Sequence, residues 1–286
     1  MKLVRFEYNG AVSVGALEEE NILPIPGLDS LSNIVSGERI ADPNSQNAVP
    51  LANVKLLAPV VPQRNVFCVG WNYLKHYEES KGKREGQEEP LPERPTLFTK
   101  LPTTIANPGD VLPLHQAYTQ KLDWEVELAI VIGKAGRDIS EADALSHVYG
   151  YTIANDISAR DLQRAHGGQW FKGKSLDHTC PLGPVLVTAD EITDPQNLDI
   201  QLTLNGEVMQ SANTNRQIFP VARIIAELSA GMTLLPGDVI LTGTPDGIGA
   251  ARTPPRFLQD GDIVECQVEG IGTLTNRFSS AIQAVI

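Results

Sequence analysis

Apolar and polar residues alternate along the first part of the chain. The segments Lys2–Tyr8 and Ala11–Leu17 both show this period of two, which is typical of β-strands with one buried face. Asn9-Gly10 lies between them and is a dipeptide that favours a two-residue hairpin turn. The pattern therefore predicts a β-hairpin within residues 1–20.

Farther along the chain, short apolar runs follow turn residues. Asn65–Gly70 predicts a strand, and three similar turns each precede a β run: Pro108-Gly109-Asp110, Pro236-Gly237-Asp238 and Asp260-Gly261-Asp262. Helical patterns are few, and they cover Tyr73–Ser80, Ser158–His166 and Pro220–Leu228. Strands and helices do not alternate regularly, which argues against a doubly wound sheet or a TIM barrel. We therefore expect a β-dominated α+β fold.

Two polar stretches divide the chain. Residues 27–50 are polar with one weak helical stretch, and Leu56–Pro59 leads outward, so we place a boundary near residue 60. This gives a small N-terminal β-containing domain (1–60) and a larger second domain (61–286). Ten of the seventeen residues in 78–94 are charged, with glycines and prolines among the others. Such a segment cannot bury much surface, so we expect a mobile loop there.

Composition and charge exclude several classes of partner. The 286 residues include 23 Lys and Arg but 35 Asp and Glu, so the net charge is −12, which argues against nucleic acid and anionic membranes as partners. No apolar run approaches the roughly 18 residues of a membrane span. The three cysteines are far apart and form no zinc or disulfide framework. Glu7 stands where a signal peptide would be apolar, so we expect a cytoplasmic protein.

Two glutamates share one face of a predicted strand within residues 122–133. Side chains alternate along a strand, so Glu125 and Glu127 lie on the same face. Two neighbouring carboxylates repel each other and are costly to bury unless a cation lies between them. A solvated outer face without a role is the alternative. The apolar run 128–132 that follows favours a buried strand instead.

Asp156 is a candidate third carboxylate. Taken alone, Asn155 or Asp156 fits better as the N-cap of the helix that is predicted to begin at Ser158. Taken together with the two glutamates, Asp156 completes a set of three carboxylates without a nearby cysteine or histidine pair. Such a set favours Mg²⁺ or Mn²⁺ over zinc and leaves coordination positions open for a chelating substrate.

Seven segments, in order, resemble those of the fumarylacetoacetate hydrolase superfamily. They are CVGWNYLKHYEE (68–79), RPTLFTKLPTTI (94–105), DWEVELAIVIGK (123–134), GYTIANDISARDLQ (150–163), GKSLDHTCPLGPVL (173–186), LNGEVMQ (204–210) and LLPGDVILTGTPDGIG (234–249). The resemblance runs from about Asn65 to Phe278, and the ordered set is far more specific than a lone Glu-x-Glu. It implies a mixed β-sandwich roll, a divalent metal (Mg²⁺ or Mn²⁺) and, commonly, a homodimer.

The resemblance also implies roles for individual residues. Glu125, Glu127 and Asp156 match the metal carboxylates of the family. His76 and Glu79 match its acid–base pair, and their i, i+3 spacing places both on one face of a short helix. The charged segment that follows would then act as a lid. Without the resemblance, His76 would be read as an ordinary surface histidine.

Four further residues match family positions around the substrate. Lys174 corresponds to the lysine near the metal, although most lysines are simply solvated. Gln163 follows Asp156 by about two helical turns and matches a glutamine that contacts substrate. Lys100 and Thr244 match a lysine and a threonine with the same role. Trp71 departs from the family, where many members have a small or charged residue, and we expect it to narrow the pocket or to stack on substrate.

These matches predict an enzyme that acts on a 2-oxo acid or its enol, because such a substrate can chelate the metal. The main expectation is hydrolysis of a C–C bond in an acylpyruvate- or fumarylpyruvate-type substrate through an enolate. His76 with Glu79 would activate the water, and Lys174 would help to hold the enolate. The same site would suit a 2-hydroxymuconate-type isomerase or an oxaloacetate-type decarboxylase.

Two other kinds of function are disfavoured. A catalytically silent metal-binding relative is a further alternative, but such a protein has no need for the pair formed by His76 and Glu79. The glycines of 242–249 could suggest a nucleotide loop. No Gly-x-Gly-x-x-Gly precedes a helix, however, so the sequence does not support nucleotide binding.

Overall fold

The computed structural model describes residues 1–31, 35, 42–82 and 90–282. The strands are β1 (Lys2–Tyr8), β2 (Ala11–Glu18), β3 (Asn21–Pro24), β4 (Val49–Pro50), β5 (Lys55–Leu57), β6 (Val66–Gly70), β7 (Thr96–Lys100), β8 (Ile105–Ala106), β9 (Val111–Pro113), β10 (Leu122–Asp123), β11 (Val126–Ile132), β12 (Val148–Asn155), β13 (Ser158–Ala159), β14 (Cys180–Thr188), β15 (Asp199–Leu204), β16 (Glu207–Asn213), β17 (Val239–Leu241), β18 (Ile263–Val268) and β19 (Gly272–Ser279). The helices are α1 (Leu74–Glu79), α2 (Arg160–Ala165), α3 (Phe171–Lys174) and α4 (Val221–Ser229).

A large mixed sheet runs through the molecule in the order β4-β3-β2-β1-β14-β12-β11-β17-β6-β7, with β5 beside β1 and β8 beside β14. A second sheet has the order β16-β15-β18-β19-β9 and packs against β11, β12 and β14. The N-terminal strands belong to the large sheet, because Lys2 and Leu3 pair with Val187 and Leu186. The fold is thus a β-dominated α+β sandwich, as the sequence predicts.

The predicted turns are present where the sequence places them. Asn9 and Gly10 both have positive φ values, 51° and 78°, which is the conformation of a hairpin turn that matches strand twist. Gly109, Gly237 and Gly261 also have positive φ values, and each precedes a strand: β9, β17 and β18 respectively. Glycine adopts this conformation without steric cost. These turns confirm the short-strand architecture.

Strand β11 is buried on both faces. Its even-numbered residues, such as Leu128 and Ile130, face the core between the two sheets. Its odd-numbered residues, Ala129 and Val131, pack in a second core on the other face of the large sheet. Glu127 shares the face of Ala129, so its carboxylate points into the protein interior rather than to solvent. The expectation of a buried strand is therefore confirmed.

The structure corrects one predicted helix start. Helix α2 begins at Arg160, with Ala159 as its N-cap and no side-chain cap, so the expectation of a cap at Asn155 or Asp156 is wrong. The cause is strand pairing: β13 pairs with β10 and holds Ser158 extended. Both residues are thereby free for other contacts.

Parts of two predicted features have no description in the structure. Residues 83–89 of the expected mobile loop and most of 32–41, in the polar stretch 27–50, lie outside the described residues. Where the chain is described, its helices are too short or too polar to cross a lipid bilayer.

Candidate active site

Three carboxylates meet where β11 begins and β12 ends. The N–H of Asp156 donates to the carbonyl of Glu125 at 2.9 Å, which sets the two strand ends side by side. One carboxylate oxygen from each of Glu125, Glu127 and Asp156 lies within 4.8 Å of the others, and all three residues are buried. Asn155 fixes this geometry, since its Oδ1 accepts from the N–H of Glu125 at 3.0 Å. The structure thus brings together the three residues that the sequence proposed.

Buried cations surround two of these carboxylates. Lys174 Nζ lies 2.7 Å from Glu125 Oε2 and 2.6 Å from Asp156 Oδ2. Arg160 Nη2 lies 2.7 Å from Glu125 Oε1, and Lys100 Nζ lies 2.8 Å from Asp156 Oδ1. Burial alone would raise the pKa of Glu125, but the charges of Lys174 and Arg160 outweigh it and hold that pKa well below its usual range.

Glu127 has a different environment. Its Oε2 accepts from the N–H of Gly243 at 2.5 Å, and no ion pair to it occurs among the described residues. Burial, together with the charges of Asp156 and Glu125, raises the pKa of Glu127 well above its usual range. Acidic groups are in excess in this neighbourhood, since four buried carboxylates (Asp123, Glu125, Glu127, Asp156) outnumber three buried cations (Lys100, Arg160, Lys174). A hard divalent cation fits this set of oxygen donors.

His76 and Glu79 form a pair on α1. His76 Nδ1 lies 2.8 Å from Glu79 Oε1, as their i, i+3 spacing predicts. The other oxygen of Glu79 accepts from the N–H of Gly247 at 2.9 Å, so a main-chain group fixes the pair from outside the helix. Gly247 has a φ of +107°, and a Cβ atom there would lie 2.0 Å from Met209 O. This position therefore requires glycine.

Thr244 lies in the Thr-Gly-Thr-Pro turn after β17. Its Oγ1 accepts from Gln210 Nε2 at 2.8 Å, and Gln210 Oε1 accepts from the N–H of Val126 at 3.0 Å. Gln210 therefore joins the turn to the start of β11. Gln210 belongs to the segment 204–210 that resembles the family, but its role depends on contacts with residues that are distant in the sequence.

Several of these groups line one cavity of about 720 Å³. Among the residues proposed from sequence, those that line it are Trp71, His76, Glu125, Glu127, Gln163, Lys174 and Thr244, whereas Glu79 and Asp156 are not part of the lining. Lys100 lies elsewhere: it has no exposed surface, and its Nζ contacts Asp156 Oδ1 and donates to Ile157 O at 3.1 Å. Its ammonium lies behind the carboxylate of Asp156.

Aromatic rings form one wall of the cavity. Trp71 meets Trp170 edge-on with ring centroids 4.8 Å apart, and Phe98 lies 5.2 Å from Trp170. The backbone of Trp71 has a φ of +54°, which is uncommon for a bulky side chain. Gly70 makes room for this packing, because a Cβ there would lie 2.4 Å from the Trp170 ring. Trp71 therefore forms part of the cavity wall, and its narrowing of the pocket relative to other family members stays a prediction.

Asp123 and Arg160 were missed by the sequence reasoning. Arg160 Nε donates to Asp123 Oδ2 at 2.8 Å, and the N–H groups of Gly249 and Ala250 donate to the same carboxylate at 2.7 and 2.9 Å. Asp123 thereby ties Arg160, and through it Glu125, to the loop after Gly249. The two residues are 37 positions apart and lie among other charged residues, so the sequence offers no local signal for their contact.

We expect Asp123→Asn to destabilise the fold by about 3–5 kcal/mol, as for a broken buried ion pair. The amide NH₂ group in place of Oδ2 is a donor, so it could not accept the hydrogen bonds from Arg160 and Ala250. Urea unfolding would measure the loss. Glu141→Gln is the control, because Glu141 forms an exposed ion pair with Arg223 and should cost less than about 1 kcal/mol. Equal stability of the two variants would contradict the assignment of Asp123 as an anchor.

Comparisons with known proteins agree with this architecture. The family model described as fumarylacetoacetate (FAA) hydrolase C-terminal matches residues 65–279, and one described as Rv2993c-like, N-terminal matches residues 1–59. Oxaloacetate tautomerase YisK of Bacillus subtilis is 49% identical over 229 residues, which are 80% of this chain and 74% of that protein.

Two solved structures are similar over nearly the whole chain. A fumarylacetoacetate hydrolase from psychrophilic Exiguobacterium antarcticum has a TM-score of 0.87 and 43% identity, over 98% of this chain and 99% of that one. A 2-hydroxyhepta-2,4-diene-1,7-dioate isomerase from Mycobacterium marinum has a TM-score of 0.79 and 37% identity, over 98% of each chain. On the sequence match, the shared fold and the coverage, the chain is a member of the fumarylacetoacetate hydrolase family of enzymes.

Proposed function

We propose that the protein is a divalent-metal-dependent isomerase that interconverts the enol and keto forms of a 2-oxo dicarboxylic acid, with oxaloacetate as the first candidate. The observation that carries this proposal is that His76 and the carboxylates of Glu125 and Glu127 line one cavity. His76, a group that can transfer protons, thus shares the cavity with the carboxylates at which a chelating 2-oxo acid would be held. The similarity to an oxaloacetate tautomerase and to a dienedioate isomerase supports the same class of reaction.

In this proposal, Glu125, Glu127 and Asp156 hold Mg²⁺ or Mn²⁺. A bound cation of this kind would withdraw electrons from the 1-carboxylate and the 2-oxo group of the substrate and so acidify the C3–H bond. Lys174, held by two of the carboxylates, would stabilise negative charge on the substrate oxygens. Lys100 lies behind Asp156, so we assign it as a counter-ion for that carboxylate rather than as a substrate contact.

His76 would transfer the proton at C3. Its Nδ1 is engaged by Glu79, which leaves Nε2 as the nitrogen that exchanges a proton with the substrate. Glu79 orients the ring, while Gly247 keeps Glu79 in place. Thr244 and Gln163 border the same cavity and would hydrogen-bond to the substrate. General acid–base catalysis by such a pair typically contributes about 10²–10⁴-fold.

Hydrolysis of an acylpyruvate-type C–C bond is the second candidate. The cavity of about 720 Å³ favours it, since a four-carbon acid would fill a small part of that volume. The same His76 and Glu79 pair would then activate a water molecule. The related structure named as a fumarylacetoacetate hydrolase is also consistent with this reaction.

A substrate panel tests the proposal. With Mn²⁺, we expect the protein to accelerate ketonisation of enol-oxaloacetate well above the rate with Mn²⁺ alone, which is the necessary control. EDTA should abolish the acceleration, and added Mn²⁺ should restore it. Cleavage of acylpyruvates and decarboxylation of oxaloacetate are measured in parallel. Faster cleavage of an acylpyruvate than tautomerisation of oxaloacetate would contradict the isomerase and favour the hydrolase.

A further inference from the structure

Arg252 places a guanidinium at the cavity without an acidic partner among the described residues. The residue borders the cavity, and its Nε is buried without a hydrogen-bond partner. Its Nη2 makes one long hydrogen bond, 3.3 Å, to Met209 O. The guanidinium therefore carries a positive charge that no acidic group among the described residues compensates, and an anionic ligand in the cavity would compensate it.

The buried cations of the site already have anionic partners, whereas Arg252 is partly buried. Arg160 is held by Asp123 and Glu125, and Lys174 is held by Glu125 and Asp156. Their positive charges are therefore largely compensated within the protein. Arg252 differs from them because, among the described residues, the hydrogen-bond partner of its side chain is the neutral carbonyl group of Met209.

A short series of contacts connects Arg252 with the pair of His76 and Glu79. Met209 O, the acceptor for Arg252, also packs against Gly247, where a Cβ would lie 2.0 Å from that oxygen. Gly247 in turn donates to Glu79. The guanidinium therefore lies on the side of the cavity from which His76 and Glu79 act.

The loop that carries Arg252 is fixed. The N–H groups of Arg252 and Arg256 both donate to Gly249 O, at 3.2 and 3.0 Å. The N–H of Gly249 donates to Asp123, whose carboxylate also binds Arg160. The backbone that carries the guanidinium is therefore preorganised, which lowers the entropic cost of binding a ligand.

We infer that Arg252 binds the distal carboxylate of the substrate and thereby selects 2-oxo dicarboxylic acids over 2-oxo monocarboxylic acids. This inference rests on the proposed function, because it takes the 1-carboxylate and the 2-oxo group to lie at Glu125, Glu127 and Asp156. The reacting C3 then lies between the two carboxylates, next to His76. The planar guanidinium suits this role, since it matches both oxygens of a carboxylate.

Binding of unreactive analogues tests the inference without turnover. The probes are L-malate and its 4-methyl ester, titrated calorimetrically into the protein with Mn²⁺ present. We expect the wild type to bind malate at least about tenfold more tightly than the ester, because a charge-assisted hydrogen bond is lost in the ester. Arg252→Gln should bind the two probes with nearly equal affinity, and Arg252→Lys should keep part of the preference.

Arg277→Gln is the matched control, since Arg277 is an exposed arginine on β19 and the substitution removes the same charge. It should keep the full preference for malate. Equal binding of both probes by the wild type, or an unchanged preference in Arg252→Gln, would overturn the inference. The two proposals can also fail separately. If Arg252→Gln loses the preference for malate but the wild type shows no tautomerase activity, the carboxylate site is supported and the proposed reaction is refuted.

Discussion

Glu127→Gln is expected to lose metal binding and activity while the protein stays as stable as the wild type without metal. The amide oxygen can still accept the N–H of Gly243, and the substitution removes repulsion from Glu125 and Asp156. A neutral amide is a weak ligand for a hard cation, so the affinity for Mn²⁺ should fall by more than about 100-fold. Calorimetric titration with Mn²⁺ and thermal unfolding of the EDTA-treated protein would measure both effects.

Glu125→Gln provides the contrast that makes this prediction specific. It should also lose the metal, but it leaves Lys174 and Arg160 buried with one carboxylate fewer. Removing one partner of a buried ion pair costs about 3–5 kcal/mol, so this variant should unfold at a clearly lower temperature. Wild-type Mn²⁺ affinity in Glu127→Gln would refute the metal site. Equal unfolding temperatures of the two metal-free variants would refute the unequal distribution of cations described above.

His76→Ala is expected to lower the rate of oxaloacetate tautomerisation by about two to four decades, which is the usual contribution of a general acid–base group. The substitution leaves the three carboxylates unchanged. Mn²⁺, and oxalate as an unreactive mimic of the enolate, should therefore bind nearly as in the wild type. Any decarboxylation of oxaloacetate should fall much less, because breaking that C–C bond needs an electron sink rather than a base. Stopped-flow absorbance would follow the enol, and calorimetry would follow binding.

Two further variants control for indirect effects of this change. His166→Ala removes an exposed histidine that follows α2 and should leave the rate unchanged. Glu79→Gln keeps a hydrogen-bonding side chain beside His76 but loses the charge, so its rate should lie between those of the wild type and His76→Ala. Tautomerisation by His76→Ala within a few-fold of wild type would remove His76 from the mechanism.

The sequence predicts most of the fold because its signals are local. The hairpin after Lys2 and the turns at Gly109, Gly237 and Gly261 are encoded by residues that are adjacent in the chain. The burial of Glu127 could likewise be inferred from the apolar run that follows it. The helix start at Ser158 was misplaced, since pairing of β13 with β10 is a long-range contact that a capping pattern does not contain.

The candidate site was predicted in part for the same reason. Its carboxylates and the pair of His76 and Glu79 are short motifs that a family resemblance identifies. The links between Asp123, Arg160 and Arg252 join segments that are far apart in the sequence, so no local spacing reveals them.

Several expectations stay predictions. The division at residue 60, the homodimer, the cytoplasmic location and the roles of the individual site residues belong to this group. The proposed lid in 78–94 also stays a prediction, because residues 83–89 lie outside the described residues.

The contacts of Asp123 affect how the cavity selects substrates by chain length. One carboxylate holds Arg160, and with it Glu125, and it also holds the start of the loop that carries Arg252. Both ends of the cavity are therefore hydrogen-bonded, directly or through Arg160, to the Asp123 carboxylate. Neither end can shift without breaking a contact in this set. If Arg252 binds the distal carboxylate, the distance between Arg252 and Glu125 is fixed and sets the length of substrate that can contact both ends. Chain length would then be discriminated by a fixed distance rather than by adjustment of the protein around each substrate.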